Sequence, residues 1–340
     1  MAKVNSIQYE AAKFPASIAK AGHCLVSDAK MIHAATTVGV APAGSGGSRA
    51  VRTALHGRAR AGHRSLAELI WRVAMTDANL VRQSTGFMRS DGYMRLDPSE
   101  KSAVSYFLGM VQAKIIAGDV LNISHLVHLD SLPSFSTATR SRPDFYGIDW
   151  SHPKTCYFLE AKGRTMGYSA SVVAKAKKQT TLVTHHPNFD RLTGIASLSY
   201  FNRNGFWTSY LEDPPAESKT SPNAPSAGSL YASYYTPIID AMTNADVDRQ
   251  DSSIRTAYID AFDFQLSCPT SVFDLLTSKQ NDTSRSELPE ALNEELSRPR
   301  NKLEGYQDGS SNFTGSDGIR IELGPSWSSN ADRATEGNES

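Results

Sequence analysis

The sequence predicts a mixed α/β fold in which helices cover a central sheet. Asp97-Pro98-Ser99-Glu100 is a helix start, with a capping Asp, Pro at the first helical position and Glu at the third. Apolar runs at 124–129, 142–150 and 155–162 have the length and composition of strands. Asn202-Arg203-Asn204-Gly205 separates two further strand-like runs, and Asn-Gly is a strong hairpin-turn signal.

The elements follow in order. A helix runs from 97 to about 117, ahead of Gly118, and its apolar stripe is Val104, Phe107, Leu108, Val111 and Ile115. Ser124–Leu129 is a strand, followed by a Ser/Thr-rich loop over 131–141. Arg142–Trp150 is a second strand, Ser151-His152-Pro153-Lys154 a turn, and Thr155–Lys162 a third strand ended by Gly163. A helix near 169–184 buries Val172, Ala176, Thr180 and Val183, with Gln179 beside that stripe and Lys175 and Lys178 bordering it. Strands at 193–201 and 206–212 complete the series, so residues 95–213 read as helix, three strands, helix and two strands.

The 340 residues are 40% hydrophobic and 21% charged, which excludes collagen-like, fully disordered and disulfide-framework chains. Lys+Arg and Asp+Glu are both 35, so net charge gives no prior for nucleic acid or membrane. The charge is unevenly placed. Residues 1–100 carry 13 basic against 7 acidic residues, and 281–340 carry 6 against 12. The basic excess gathers at Arg49, Arg52, Arg58, Arg60, Arg64 and Arg72, with His56 and His63 among them. Such a cluster can neutralise phosphates, and a solvated helix face explains it equally well. Cys24, Cys156 and Cys268 are far apart without metal-site spacing, which suits a reducing compartment with no disulfide partner. There is no apolar leader and no uninterrupted apolar run near ~18 residues, so the expectation is a cytoplasmic protein with no membrane span.

This gives five segments: a basic, partly helical 1–94, a core at 95–213, a Pro/Ser-rich loop at 214–229, a helical or mixed extension at 230–277 and an acidic tail at 278–340. Residues 41–49 are a Gly/Ser/Pro break within the first. The tail reads as largely disordered, except that Gly318–Leu323 alternates like a strand able to dock.

Chemistry concentrates at Asp144, Glu160 and Lys162. Strand periodicity puts Glu160 and Lys162 on one side with Cys156 and Phe158, and Asp144 opens the neighbouring strand. Two carboxylates a few ångströms apart are costly unless a cation sits between them, and oxygen ligands of this kind suit Mg²⁺ or Mn²⁺. A lysine beside that metal can hold or deprotonate a water and stabilise developing negative charge. Ser105, Ser171 and Cys156 lack the His and Asp context of a nucleophile. His125, His128, His185 and His186 share no ligand spacing.

Pro143-Asp144 followed after fifteen residues by Glu160-Ala161-Lys162 resembles the signature of the PD-(D/E)xK, or restriction-endonuclease-like, nuclease superfamily. The resemblance covers about 95–213, and it implies a restriction-endonuclease-like core of helix, three strands, helix and strand, here with helical N-terminal and C-terminal additions. It implies that Asp144, Glu160 and the Ala161 carbonyl bind Mg²⁺ or Mn²⁺ and that Lys162 serves the attacking water. It places Glu100 near the metal and Gln179 in support. DNA would be gripped by Arg164, Lys175, Lys178, Arg58, Arg60 and Arg64, and a two-fold homodimer would cut both strands. The implied function is a metal-dependent DNA endonuclease, in restriction or defence among other roles. The competing function is a catalytically inactive nuclease-fold subunit that binds DNA. Structural readings stand beside these. Asp144 can cap a turn after Pro143, Glu160 and Lys162 can be a surface pair on an edge strand, and Glu100 can serve only its helix. Tyr157 and Tyr168 can stack on bases or pack in the core.

Overall fold

The computed structural model describes residues 5–16, 18–38, 65–129, 143–148, 155–180, 191–213, 227–248, 253–278, 291, 294 and 311–327. The chain opens with strands β1 (Asn5–Ala12) and β2 (Ala21–Val26) and helix α1 (Asp28–Thr37). Alternation makes β1: Ile7, Tyr9 and Ala11 are buried while Gln8 and Glu10 are exposed. Helix α2 (residues 65–79), the hairpin β3 (Leu80–Gln83) and β4 (Gly86–Arg89), and the short helix α3 (Asp91–Arg95) follow. The expected partly helical 1–94 segment therefore also contains four strands. The stretch with Arg49, Arg52, Arg58, Arg60 and Arg64 lies outside the described residues.

The capping signal at Asp97 is realised in helix α4 (Pro98–Leu121). Asp97 accepts from the Ser99 and Glu100 amides, and Glu100 accepts from the Asp97 amide. The helix runs past Gly118, where the expectation stopped it, because Asn122 is the true terminator, with φ of 55° in the left-handed region. An 18-residue window of α4 has mean hydropathy 1.3, long and apolar enough to cross a membrane, and 67% of that window is buried inside the fold.

Three antiparallel strands come next: β5 (His125–His128), β6 (Phe145–Ile148) and β7 (Thr155–Arg164). Helix α5 (Ala170–Thr180) leads into β8 (Arg191–Phe201), which pairs parallel with β7. β9 (Trp207–Glu212) returns antiparallel through the Asn202–Gly205 turn, where Gly205 takes φ of 83°. The expected loop 131–141 and turn 151–154, and His185 and His186, lie outside the described residues.

These strands form one seven-stranded mixed sheet in the order β2-β1-β9-β8-β7-β6-β5. β1 pairs parallel with β9, so the N-terminal strands belong to the same sheet as the central ones. The C-terminal part contributes helix α6 (Ala227–Met242), strands β10 (Asp246–Asp248), β11 (Ile254–Ile259) and β12 (Phe264–Pro269), and helix α7 (Thr270–Ser278). The hairpin β13 (Asn312–Thr314) and β14 (Arg320–Leu323) closes a second, five-stranded sheet, in which β14 pairs with β12. Residues 311–327 of the acidic tail are thus structured, and Ile319 and Ile321 are core residues.

Two cores divide the faces of β7. Cys156 and Phe158 join α1, α2, α6 and the five-stranded sheet, whereas Leu159 and Ala161 join α4 and β1. On the Glu160 and Lys162 side, Val173 and Ala176 of α5 cover Ala196 and Leu198 of β8. Val173 rather than the expected Val172 is buried there, and Val183 lies outside the described residues.

α4 crosses β7 with no room for a side chain. A methyl group on Gly163 would stand 1.6 Å from the Ser105 carbonyl oxygen, and one on Gly109 would stand 2.9 Å from the Gly163 nitrogen. The close approach requires glycine at 163, and β7 runs on through it because its pairing with β8 continues to Arg164 and Tyr200. Gly163→Ala must push α4 off the sheet. Its expected cost is about 3 kcal/mol, at the upper end of overpacking, read as a lower midpoint in urea unfolding.

Candidate active site

The register that pairs Phe145 with Leu159 puts Asp144 opposite Glu160 one residue further along. Opposed residues of an antiparallel pair share a face. Two hydrogen bonds fix the pair: the Asp144 amide donates to Glu160 Oε2 at 3.0 Å, and the Ala161 amide donates to Asp144 Oδ2 at 3.0 Å. The N–H and C=O of a strand residue point to the same edge, so the Ala161 carbonyl is aimed toward the Asp144 side as well. Lys162 Nζ donates to Glu160 Oε1. The Glu160 side chain is 0% exposed, Lys162 is 29% exposed, and Asp144 is half-buried. β7 lies between β6 and β8, so a surface pair on an edge strand does not describe Glu160 and Lys162.

One ammonium faces two carboxyl groups. Burial and the charge of Asp144 push the Glu160 carboxyl up to about 8, against the opposing pull of Lys162 and the Asp144 amide. Burial raises Asp144 too, against Lys162 and the Ala161 amide. At neutral pH the pair therefore retains a proton, which a cation would displace. The pH dependence has a definite sign. Glu160 releases its proton near 4.5 when unfolded and near 8 when folded, so its contribution to stability falls as pH rises through that window. Thermal melts of metal-free protein from pH 5 to 8 should fall more steeply than those of Glu160→Gln, and an identical slope would contradict the raised value.

Two carboxylates and a carbonyl are hard oxygen donors. That set fits Mg²⁺ or Mn²⁺, which take one or two protein carboxylates and complete their shell with water and phosphate. Glu100 does not join them. It is exposed and spent in the α4 capping box, and among the described residues no three His, Cys, Asp or Glu side chains converge to hold a metal. Its short reach back to the helix start outcompetes the expected metal role. Gln179 is half-buried in the last turn of α5.

Of the expected DNA contacts, Lys175 and Lys178 are exposed on α5, while Arg164 is half-buried and donates to the Met166 carbonyl at 3.1 Å. Arg58, Arg60 and Arg64 lie outside the described residues. Arg72 is not a surface cation: it is 6% exposed and donates to the Val38 carbonyl and to Glu68. Tyr168 is exposed and packs edge-on against Tyr210, whereas Tyr157 packs on the second core. Cys24, Cys156 and Cys268 are buried, which pushes their thiols up and away from nucleophilic use.

Sequence reading missed Tyr106. Its backbone lies against Gly163, and burial together with the charges of Asp144 and Glu160 pushes its phenol up to about 12. Only its position next to Ser105, on the helix preceding the strands, hinted at this. The chain matches no family model, no curated protein and no solved structure.

Proposed function

We propose that this protein is a metal-dependent nuclease that hydrolyses DNA phosphodiester bonds. The observation that carries the reading is the buried Asp144–Glu160 pair with Lys162 on the same face. The order α4, β5, β6, β7, α5, β8, with β7 and β8 parallel, agrees with the core implied by the nuclease resemblance. Asp144, Glu160 and the Ala161 carbonyl would hold Mg²⁺ or Mn²⁺, which when bound supplies Lewis-acid polarisation and a more acidic water.

The chain's own groups do the rest. Lys162 gives up its bond to Glu160, turns its ammonium toward the attacked phosphate, orients the water and neutralises the charge that builds on the non-bridging oxygens. The Asp144 and Ala161 amides hold the two carboxylates in place. Lys175 and Lys178 supply positive charge along α5 for the flanking phosphates.

Supercoiled, linear and single-stranded DNA incubated with Mg²⁺, Mn²⁺ or EDTA test the proposal, with Lys162→Ala beside the wild type. Cleavage that needs the metal and is lost in the variant is expected. DNA binding without cleavage under every metal would favour an inactive DNA-binding subunit instead.

A further inference from the structure

Away from the acidic pair, α1, α2 and the β3–β4 hairpin surround a hollow that their side chains do not fill. It holds about 370 Å³ of empty space, part of it open to solvent. Ile32 and Val73 of the first core and Met31 and Phe87 of the second wall it, so it lies at the seam between the two cores. The short side chain of Ala35 leaves the room. Trp327, from the C-terminal part, is a further wall, and its indole N–H is fixed on the Phe262 carbonyl at 2.6 Å. Protein interiors leave few voids larger than a water molecule. An apolar hollow with a few polar groups converging on it is the usual form of a small-molecule site.

Three charged groups line this one. Asp28, in the first turn of α1, accepts from Arg82 Nε. The Arg82 guanidinium also stands over the Trp327 ring, 6.0 Å from its centroid. Asp77, in the last turn of α2, makes no hydrogen bond or ion pair among the described residues. Two carboxylates therefore share one guanidinium. Burial raises the Asp28 carboxyl against the pull of Arg82, and the charge of Asp77 adds to the rise. Burial raises Asp77 as well. A second cation would relieve both.

We propose that this hollow binds a small organic amine, its apolar body against Phe87 and Trp327 and its ammonium between Asp28 and Asp77. Charge selects the occupant. An anion would meet two carboxylates and a guanidinium already engaged by Asp28, whereas an ammonium supplies the missing positive charge and can donate to both acids. The Trp327 ring favours a cation too. A neutral apolar molecule would fill the hollow and leave the excess negative charge unmatched. The site is separate from Asp144 and Glu160 and does not rest on the nuclease reading.

Calorimetric titration of the full chain, in phosphate buffer free of other amines, tests the site with three probes of similar shape. These are 2-phenylethylamine, 2-phenylethanol and 3-phenylpropionate, which carry an ammonium, a hydroxyl and a carboxylate on the same ring. The amine should bind at least ~10-fold more tightly than the alcohol, the worth of a charged hydrogen bond, and the carboxylate should not bind. Asp77→Asn should weaken the amine roughly 10–100-fold and leave the alcohol unchanged. Ala35→Leu, which fills the hollow, should weaken both. Asp77 is exposed, so its variant carries the test should Ala35→Leu fail to fold. Bound amine should raise the Tm of the wild type with concentration, and raise that of Asp77→Asn far less. No amine binding, equal affinity for amine and alcohol, tighter binding of the carboxylate, or an amine affinity unmoved by Asp77→Asn would each overturn the proposal. None of these results alters the outcome of the DNA cleavage assay.

Discussion

Asp144→Ala and Lys162→Ala are expected to fail in different ways. Asp144 is a ligand in the proposed metal site, so its loss should abolish cleavage and also weaken Mn²⁺ binding. Loss of a supporting partner alone typically costs about 10–100-fold in metal affinity, and loss of a ligand should exceed that. Lys162 touches Glu160 and faces where the phosphate would sit, but it contributes no ligand atom. Its removal should lower kcat roughly 10²–10³-fold, the usual cost of one charge-stabilising donor. It should leave Mn²⁺ affinity equal or slightly higher, because Glu160 loses a competitor for its oxygen. Calorimetric titration of Mn²⁺ into both variants, read beside single-turnover cleavage, separates the roles. Equal metal affinity in Asp144→Ala and wild type would remove Asp144 from the ligand set.

The second large effect lies at Asp317, in the turn between β13 and β14. Its side chain is 1% exposed. His33 Nε2 lies 3.0 Å from Oδ1, the Ile319 amide donates to Oδ1 at 3.1 Å, Tyr234 donates to Oδ2, and Lys114 Nζ stands 3.6 Å from Oδ2. Lys114 is itself buried on α4 and donates to the Ser124 carbonyl and the Tyr234 hydroxyl. His125 joins through Tyr235, and burial pushes it down to about 3, so it is neutral and adds no charge. Burial opposes its ionisation, but the interactions with His33 and Lys114 outweigh that and hold the Asp317 carboxyl well below the usual carboxylate range. One carboxylate thus clamps the C-terminal hairpin to α1, α4 and α6. Asp317→Ala leaves Lys114 buried without a counter-charge, at an expected cost of about 3–5 kcal/mol. At 2–4 °C per kcal/mol that is a fall in Tm of roughly 6–20 °C. Lys114→Met in the same background should recover much of the loss, since removing both partners of a buried pair is close to neutral. A fall below about 1 kcal/mol would mean that the hairpin is held by Ile319 and Ile321 alone.

Local signals were legible where short-range chemistry set the structure. The Asp97 cap, the Asn-Gly turn and the apolar run that ends in Glu160 and Lys162 each depend on neighbours within a few residues. Features that depend on distant partners were not. Ile7, Tyr9 and Ala11 alternate as a strand should, but their parallel pairing with β9 joins segments about 200 residues apart in the chain. Gly163 and Gly118 look alike in sequence. One is required by the approach of α4, and the other has open space around its α-carbon. In the tail, the alternation of Gly318–Leu323 marks β14, which docks on β12, whereas low apolar density conceals its hairpin partner β13. Asp317-Gly318 ahead of an alternating run was the available turn signal. Glu100 followed local rules as well, since its capping box was written in the same four residues that marked the helix start.

The central claim is that Asp144 and Glu160 are a cation site and not a protonated structural pair. Anomalous scattering from crystals soaked in Mn²⁺ near pH 8 tests it most directly. The account predicts a peak bounded by Asp144, Glu160 and the Ala161 carbonyl, with Lys162 released from Glu160. A site without a peak, and with Lys162 still bonded to Glu160 at saturating Mn²⁺, would contradict it.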